Sequence, residues 1–226
     1  MNAIADNLQA VRARISRAAQ AARRDDKAVT LLAVSKTHPP ARISEARAAG
    51  QRAFGENYVQ EAVEKMTAAP DLEWHLIGPL QSNKTRVVAE RFQWVQTVDR
   101  EKIAKRLSEQ RPAALPALNV LIQVNASGEP SKSGIEFNQV EALASIVASL
   151  PRLRLRGLMA IPEPGAPRVR YQEVYRAYEK LKAAFDVDTL SMGMSDDLEA
   201  AIAEGATMVR IGTAIFGARR KERSAA

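Results

Sequence analysis

The sequence predicts an α/β fold: a single (β/α)8 TIM barrel with an additional N-terminal helix, spanning residues 1–226 as one domain. Three observations carry this. Short apolar runs alternate with helix-forming stretches about eight times, and regular alternation with short connections implies parallel strands closing on themselves. The length of 226 residues falls within the range of such barrels. A hydrophobic content of 46% supplies one sizeable core. An open doubly wound sheet is the alternative, but no strand runs into a GxGxxG turn.

The elements follow in order. Ile4, Leu8, Val11 and Ile15 recur at helical spacing between polar residues, so the chain opens on an amphipathic helix packed on the barrel. The run Val29-Thr-Leu-Leu-Ala-Val-Ser-Lys36 is rich in Leu and β-branched residues, and Pro39-Pro40 end it: a first strand, buried on both faces. Residues 41–50 read as a helix with a glycine stop, 52–57 as a short second strand and 58–68 as the next helix. Residues 73–78 form the third strand, with Pro79 suited to the first turn of the helix that follows. The fourth strand is 92–98 and its helix 99–110. The fifth, 118–125, is the longest uninterrupted β run, followed by a helix around 140–150. The sixth is 153–161, with its helix at 169–185. Strands around Leu190 and Val209 complete the count, and Ser195 is placed to cap the helix 196–204 between them.

Lys36 is the residue with the most chemical promise. At the carboxyl end of a buried strand it would lie partly out of water, where desolvation favours the neutral, nucleophilic amine. Near the other end of the chain, Leu190-Ser-Met-Gly-Met-Ser195-Asp-Asp and Thr207-Met-Val-Arg210-Ile-Gly212-Thr213 each run from a strand into a turn with a hydroxyl. Such turns offer backbone N–H groups and hydroxyls to an anion, and barrel phosphate sites commonly follow strands seven and eight. Asp196 and Asp197 oppose an anion unless they face solvent. Closure brings strand one beside strand eight, so Lys36 and this cradle together suggest an aldehyde bearing a phosphate. Alternation turns Leu32 and Val34 inward with Lys36, and an inward Arg210 leaves Val209 and Ile211 to the helices. Asn57, His75, Gln81, Asn83, Lys84 and Asn125 are further polar residues expected at the same rim.

Composition excludes several classes. There is no cysteine, hence no disulfide framework or thiolate metal site, which fits a cytoplasmic location. Two histidines without HExxH spacing make no zinc site. No apolar stretch is long enough to span a bilayer, and the first helix lacks the continuous apolar core of a signal peptide. The net charge of +7 is spread over helix faces, and with only 5% aromatics no stacking motif suggests a specific nucleic-acid partner.

The segments Ala33-Val-Ser-Lys36, Phe54-Gly-Glu-Asn57-Tyr58, Trp74-His75-Leu-Ile-Gly78-Pro-Leu-Gln81-Ser-Asn83-Lys84 and Gln123-Val-Asn125 resemble the pyridoxal-phosphate homeostasis proteins. So do Lys132-Ser-Gly-Ile135, Gly157-Leu-Met-Ala-Ile161, Ser191-Met-Gly-Met-Ser-Asp196 and Val209-Arg-Ile-Gly-Thr-Ala-Ile-Phe-Gly217. The matches run in order over nearly the whole chain. The resemblance implies a barrel like the N-terminal domain of alanine racemase, holding pyridoxal 5′-phosphate as an internal aldimine. Residue by residue, it makes Lys36 the Schiff-base lysine and Ser195, Gly212 and Thr213 the phosphate ligands. It sets Arg210 against the pyridine nitrogen, lines the pocket with Asn57 and Met194, and gives Lys132 a secondary role in cofactor exchange.

Two functions then compete. One is a cofactor-binding homeostasis protein that hands pyridoxal phosphate to apo-enzymes, without robust activity of its own. The other is an amino-acid racemase or related enzyme. A two-base racemase needs a second proton donor, usually a tyrosine brought by an additional β domain across a dimer. The chain ends soon after Phe216, so that domain and that dimer are not expected, and a monomer is. Tyr171, Tyr175 and Tyr178 share one helix as packing residues, and nothing marks Tyr58 as a base.

Overall fold

The computed structural model describes residues 3–128 and 133–218. Eight parallel strands close into a barrel in sequence order: β1 (Thr30–Val34), β2 (Ala53–Glu56), β3 (Glu73–Leu76), β4 (Trp94–Val98), β5 (Leu118–Val124), β6 (Leu153–Ala160), β7 (Thr189–Ser191) and β8 (Met208–Ile211). Closure is made by β1 against β8, with Leu31 opposite Val209 and Leu32 opposite Arg210. The helices are α1 (Ala3–Ala21), α2 (Pro40–Ala48), α3 (Val59–Ala68), α4 (Thr85–Arg91), α5 (Glu101–Gln110), α6 (Val140–Ser149), α7 (Arg168–Ala184), α8 (Leu198–Ala203) and α9 (Thr213–Phe216).

Strand alternation sorts the side chains as the sequence predicts. Ala33, Phe54, Trp74, Val209 and Ile211 belong to the main core between strands and helices, and Leu31 packs against it. Leu32, Val34, Ala53, Ile77 and Met208 form a separate cluster inside the barrel, and Trp94, Leu121 and Met159 form another. The interior is tight: a Cβ on Gly55 would approach the Leu32 and Ile77 side chains to 3.1 Å.

The amphipathic reading of α1 also holds. Ile4, Leu8, Val11 and Ile15 are all buried, each contributing at most about 1.5–3 kcal/mol of hydrophobic stabilisation. The polar side of α1 is bonded to α9 and α8. Asn7 Nδ2 donates to the Ile215 carbonyl at 2.9 Å, and the Arg14 guanidinium forks onto both carboxylate oxygens of Glu199. Arg14 also reaches the Ser195 carbonyl at 3.1 Å, so the added helix braces the turn that follows β7.

Two expectations need correction, on Pro79 and on Ser195. The longest strand is β6, with eight residues against seven in β5, in keeping with the expected ranges 153–161 and 118–125. A bulge lengthens it: Val120 faces Leu155 and Leu121 faces Gly157, leaving Arg156 as the extra residue. Pro79 does not start a helix. A 3-10 turn at Ser82–Lys84 intervenes before α4, and the proline in a helical first turn is Pro40 of α2. Ser195 is not a helix cap either. Asp197 holds that position, because its carboxylate accepts the Met194 N–H and closes a turn over 194–197 that delays α8.

Candidate functional site at the carboxyl end of the barrel

The chain leaves β1 through Ser35, Lys36 and Thr37, and a buried polar cluster fixes this turn on both sides. Ser35 Oγ donates to Glu56 Oε1 at 2.6 Å, and Lys65 Nζ donates to the Ser35 carbonyl at 2.7 Å. Lys65 Nζ also reaches Glu56 Oε1 at 2.7 Å and Glu61 Oε1 at 2.6 Å. The same Glu61 oxygen accepts the Thr37 N–H, which holds Thr37 in its left-handed conformation at φ 65°. Lys65 and Glu56 are 2% and 0% exposed, so this is a fully desolvated ion pair. Burial pushes the Glu56 carboxyl above its ordinary range, and the Lys65 ammonium offsets only part of that. The Lys65 ammonium is thus committed to three acceptors, while Lys36 is presented to the barrel mouth.

There, a cavity of about 250 Å³ is lined by Lys36, Asn57, Met194, Ser195, Arg210, Gly212 and Thr213. The residues to which the resemblance gives a cofactor-binding role therefore meet in one place; Lys132, the exchange lysine, lies outside the described residues. Val34, Ile77 and Ile161 supply apolar walls. Arg210 rises from the interior with its guanidinium buried, donating to Ser191 Oγ and to the Ala160 carbonyl, each at 2.8 Å. Burial lowers its pKa to about 10, so it remains a cation at neutral pH. Gly212 brings its backbone against β1, where a Cβ would stand 3.1 Å from the Val34 carbonyl oxygen. The Ser195 hydroxyl lies at the start of α9, accepting from Ala214 N at 3.5 Å. Asp196, although at the rim, is solvent-exposed. The Asp197 carboxylate is taken up by the Met194 N–H and by the Tyr171 hydroxyl, which donates at 2.6 Å.

Asn57 owes its position to Gly78. A Cβ there would lie 2.2 Å from the Asn57 carbonyl oxygen, so only glycine lets the end of β3 approach so closely. Gly78→Ala should therefore displace Asn57 and destabilise the fold by about 1–3 kcal/mol, the usual cost of overpacking. Urea denaturation measures this, with an unchanged midpoint as the contrary result.

The remaining rim candidates are placed elsewhere. His75 is fully buried inside the barrel, stacked on Trp94 and bonded to Glu73 and Gln96, because β3 alternation points it inward well below the mouth. Gln81, Asn83 and Lys84 sit on and beside the 3-10 turn, away from the cavity walls. Asn125 faces a larger groove of about 660 Å³ between α6 and α7. That groove is walled by mixed charges such as Arg170, Glu173 and Lys180 and, among the described residues, holds no counterpart of the buried Arg210 that marks the mouth. Tyr171 and Tyr178 are buried as packing residues, whereas Tyr58 is 59% exposed. Sequence reasoning missed His38, which lines the cavity and packs on Phe216 at 5.1 Å. Its position two residues after Lys36 is the signal that would have found it. It also missed the Glu56–Lys65 pair, for which no local signal exists.

Comparison with known proteins accords with this geometry. Residues 7–220 match the family model of the alanine racemase N-terminal domain. The pyridoxal phosphate homeostasis protein of Pseudomonas aeruginosa is 62% identical over 223 residues, covering 97% of each chain. PipY of Synechococcus elongatus, solved with PLP bound, superposes with a TM-score of 0.82 at 37% identity, covering 95% of this chain and 100% of that one. Alanine racemase from Corynebacterium glutamicum shares the fold alone: TM-score 0.72, 18% identity, 98% of this chain but 62% of the racemase. An eight-stranded barrel with this mouth, and identity of this order over the whole chain, place the protein in the pyridoxal phosphate homeostasis protein family.

Proposed function

We propose that the protein binds pyridoxal 5′-phosphate at the barrel mouth, linked to Lys36, and serves in cellular homeostasis and delivery of that cofactor without robust catalysis. The observation that carries this is the convergence of Lys36, the buried Arg210 and the donors of Ser195, Gly212 and Thr213 on one cavity. The donor set fits the group. An amine meets the aldehyde, hydroxyls meet the anionic end, Arg210 meets the ring nitrogen, and the glycine backbone at Gly212 leaves room beside Val34. Of the two neighbouring acids, Asp196 lines the cavity from an exposed position and the carboxylate of Asp197 is occupied by its own hydrogen bonds.

When bound, the cofactor supplies an electrophilic aldehyde and an electron sink. The residues of this chain decide how far that sink is used. A guanidinium only donates, so Arg210 facing the ring nitrogen leaves it unprotonated and weakens electron withdrawal. Ser195, Gly212 and Thr213 hold the phosphate with neutral donors, and Asn57 and Met194 enclose the ring. The reading takes the protein as a monomer, and a cysteine-free cytoplasmic protein is a suitable keeper for a reactive aldehyde. Apo-enzymes are the partners of this role, and Lys132 its exchange lysine.

Two results follow. Ser195→Ala and Thr213→Val should each weaken cofactor affinity by about 1–3 kcal/mol, since a charged acceptor loses a donor. Equilibrium dialysis reads this, and unchanged affinity in both would move the phosphate elsewhere. Purified protein challenged with a panel of amino acids should turn over none at the roughly 1–1000 per second of dedicated enzymes. Turnover in that range would establish the racemase alternative.

A further inference from the structure

Beneath the cavity, the barrel interior holds a row of polar side chains that cofactor binding does not itself use. Arg210 Nη1 donates to Ser191 Oγ at 2.8 Å, and Ser191 Oγ donates to Gln96 Oε1 at 2.7 Å. Gln96 Nε2 lies 2.9 Å from His75 Nδ1, and His75 Nε2 lies 2.8 Å from Glu73 Oε1. Ser191 and His75 are 0% exposed, as is Gln96, whereas Glu73 is exposed at the opposite, amino-terminal mouth. One continuous chain therefore crosses the barrel from solvent to the cofactor side.

The chemistry of the two ends fixes the direction of every bond. A guanidinium has only donors and a carboxylate only acceptors. Ser191 must accept from Arg210 and pass its own proton to Gln96 Oε1. Gln96 then presents its amide to His75 Nδ1, and its second hydrogen meets Met208 Sδ at 3.2 Å. His75 is left as the neutral tautomer protonated on Nε2, donating to Glu73. Turning the Gln96 amide round would demand a proton on both ring nitrogens, in a site where burial pushes the imidazole pKa down. The surroundings agree: Trp94 stacks on the ring at 4.9 Å, and the Arg156 guanidinium lies over the other ring system, 4.6 Å from Trp94, itself paired with Asp188. The hydrogen bond from His75 in turn holds the Glu73 carboxyl below its ordinary range.

We propose that Glu73, His75, Gln96 and Ser191 are positioning residues for Arg210, a barrel-spanning hydrogen-bonded chain that couples the amino-terminal mouth to the cofactor site. The proposal rests on Arg210 facing the cofactor. Ordering the guanidinium against the ring strengthens or slackens its bond to Ser191, and each link passes the change on, since Ser191, Gln96 and His75 each both accept and donate.

The chain contains two histidines, His38 and His75, so their ring nitrogens are readily distinguished by 15N NMR. In the protein without cofactor, His75 should be the neutral Nε2-protonated tautomer. Adding pyridoxal phosphate should shift its ring resonances in the wild type and in Thr189→Val, a control that removes only the bond from Thr189 to Asp188 at the same barrel end. In Ser191→Ala the shift should vanish, with affinity reduced about three- to tenfold, the worth of one net hydrogen bond. Glu73→Gln, a change at an exposed position that leaves the interior filled, should perturb the bound cofactor's absorption where Thr189→Val does not. Resonances unmoved by bound cofactor, or moved equally in Ser191→Ala, would overturn the proposal alone. A wild type that takes up no cofactor would overturn the underlying reading, and this one with it.

Discussion

Lys65→Met should destabilise the protein by about 3–5 kcal/mol at neutral pH, the cost of breaking a buried ion pair from one side. The variant leaves Glu56, 0% exposed, facing an apolar side chain, with Ser35 Oγ as its one remaining donor among the described residues. The effect has a definite pH sign. The folded-state pKa of Glu56 is already raised by burial, and losing Lys65 raises it further. A carboxyl raised in the folded state favours folding below its unfolded pKa and opposes it as pH rises through the folded value. The deficit of Lys65→Met should therefore shrink in mild acid, where Glu56 becomes neutral, and urea titrations at two pH values would show it. Cofactor affinity should fall too, because the carbonyl of Ser35 and the N–H of Thr37 lose the cluster that sets the direction of Lys36. A pH-independent deficit would mean that lost packing, not the stranded carboxylate, is responsible.

Lys36→Ala should abolish covalent attachment of the cofactor while the fold persists. What remains is binding through Arg210, Ser195, Gly212 and Thr213, so affinity should fall at least about 100-fold, roughly 2.7 kcal/mol. Lys36→Arg is the informative companion. It keeps the charge but cannot form the link, so it should also lose the absorption of the lysine-bound cofactor. If Lys36→Arg retained that absorption, another amine would be the attachment point.

The barrel was legible because its signals are local and repeated. Alternation in Leu31-Leu-Ala-Val34 and in Val209-Arg-Ile211 sorts side chains correctly, since period two is a property of the strand and not of its neighbours. The convergence of the candidate residues was legible for the same reason: strand ends of a closed barrel come together, and β1 meets β8 by topology. What failed depends on contacts distant in sequence or on side chains bridging a turn. A lysine in the middle of α3 looks solvated until Glu56 of β2 is seen beneath it. His75 looks like a strand-end residue until the register shows it opposite Trp94, inside the barrel. Ser195 has the right chemistry for a cap, and only the Asp197 carboxylate bonded back to Met194 N shows why the helix begins later. The bulge at Arg156 likewise answers to Asp188 and Trp94, neither of them near it in sequence.

The choice between carrier and enzyme turns on the ring environment. Arg210 is buried, cationic and held by Ser191 and Ala160. On the proposed reading it faces the ring nitrogen and makes the cofactor a poorer electron sink.

The central claim, that Lys36 carries the cofactor, is tested most directly by borohydride reduction of the loaded protein followed by peptide mapping. The pyridoxyl mass is expected on the peptide containing Lys36, with Lys65 unlabelled because its ammonium is buried and bonded to three acceptors. Label found mainly on Lys84 or Lys132 would contradict it.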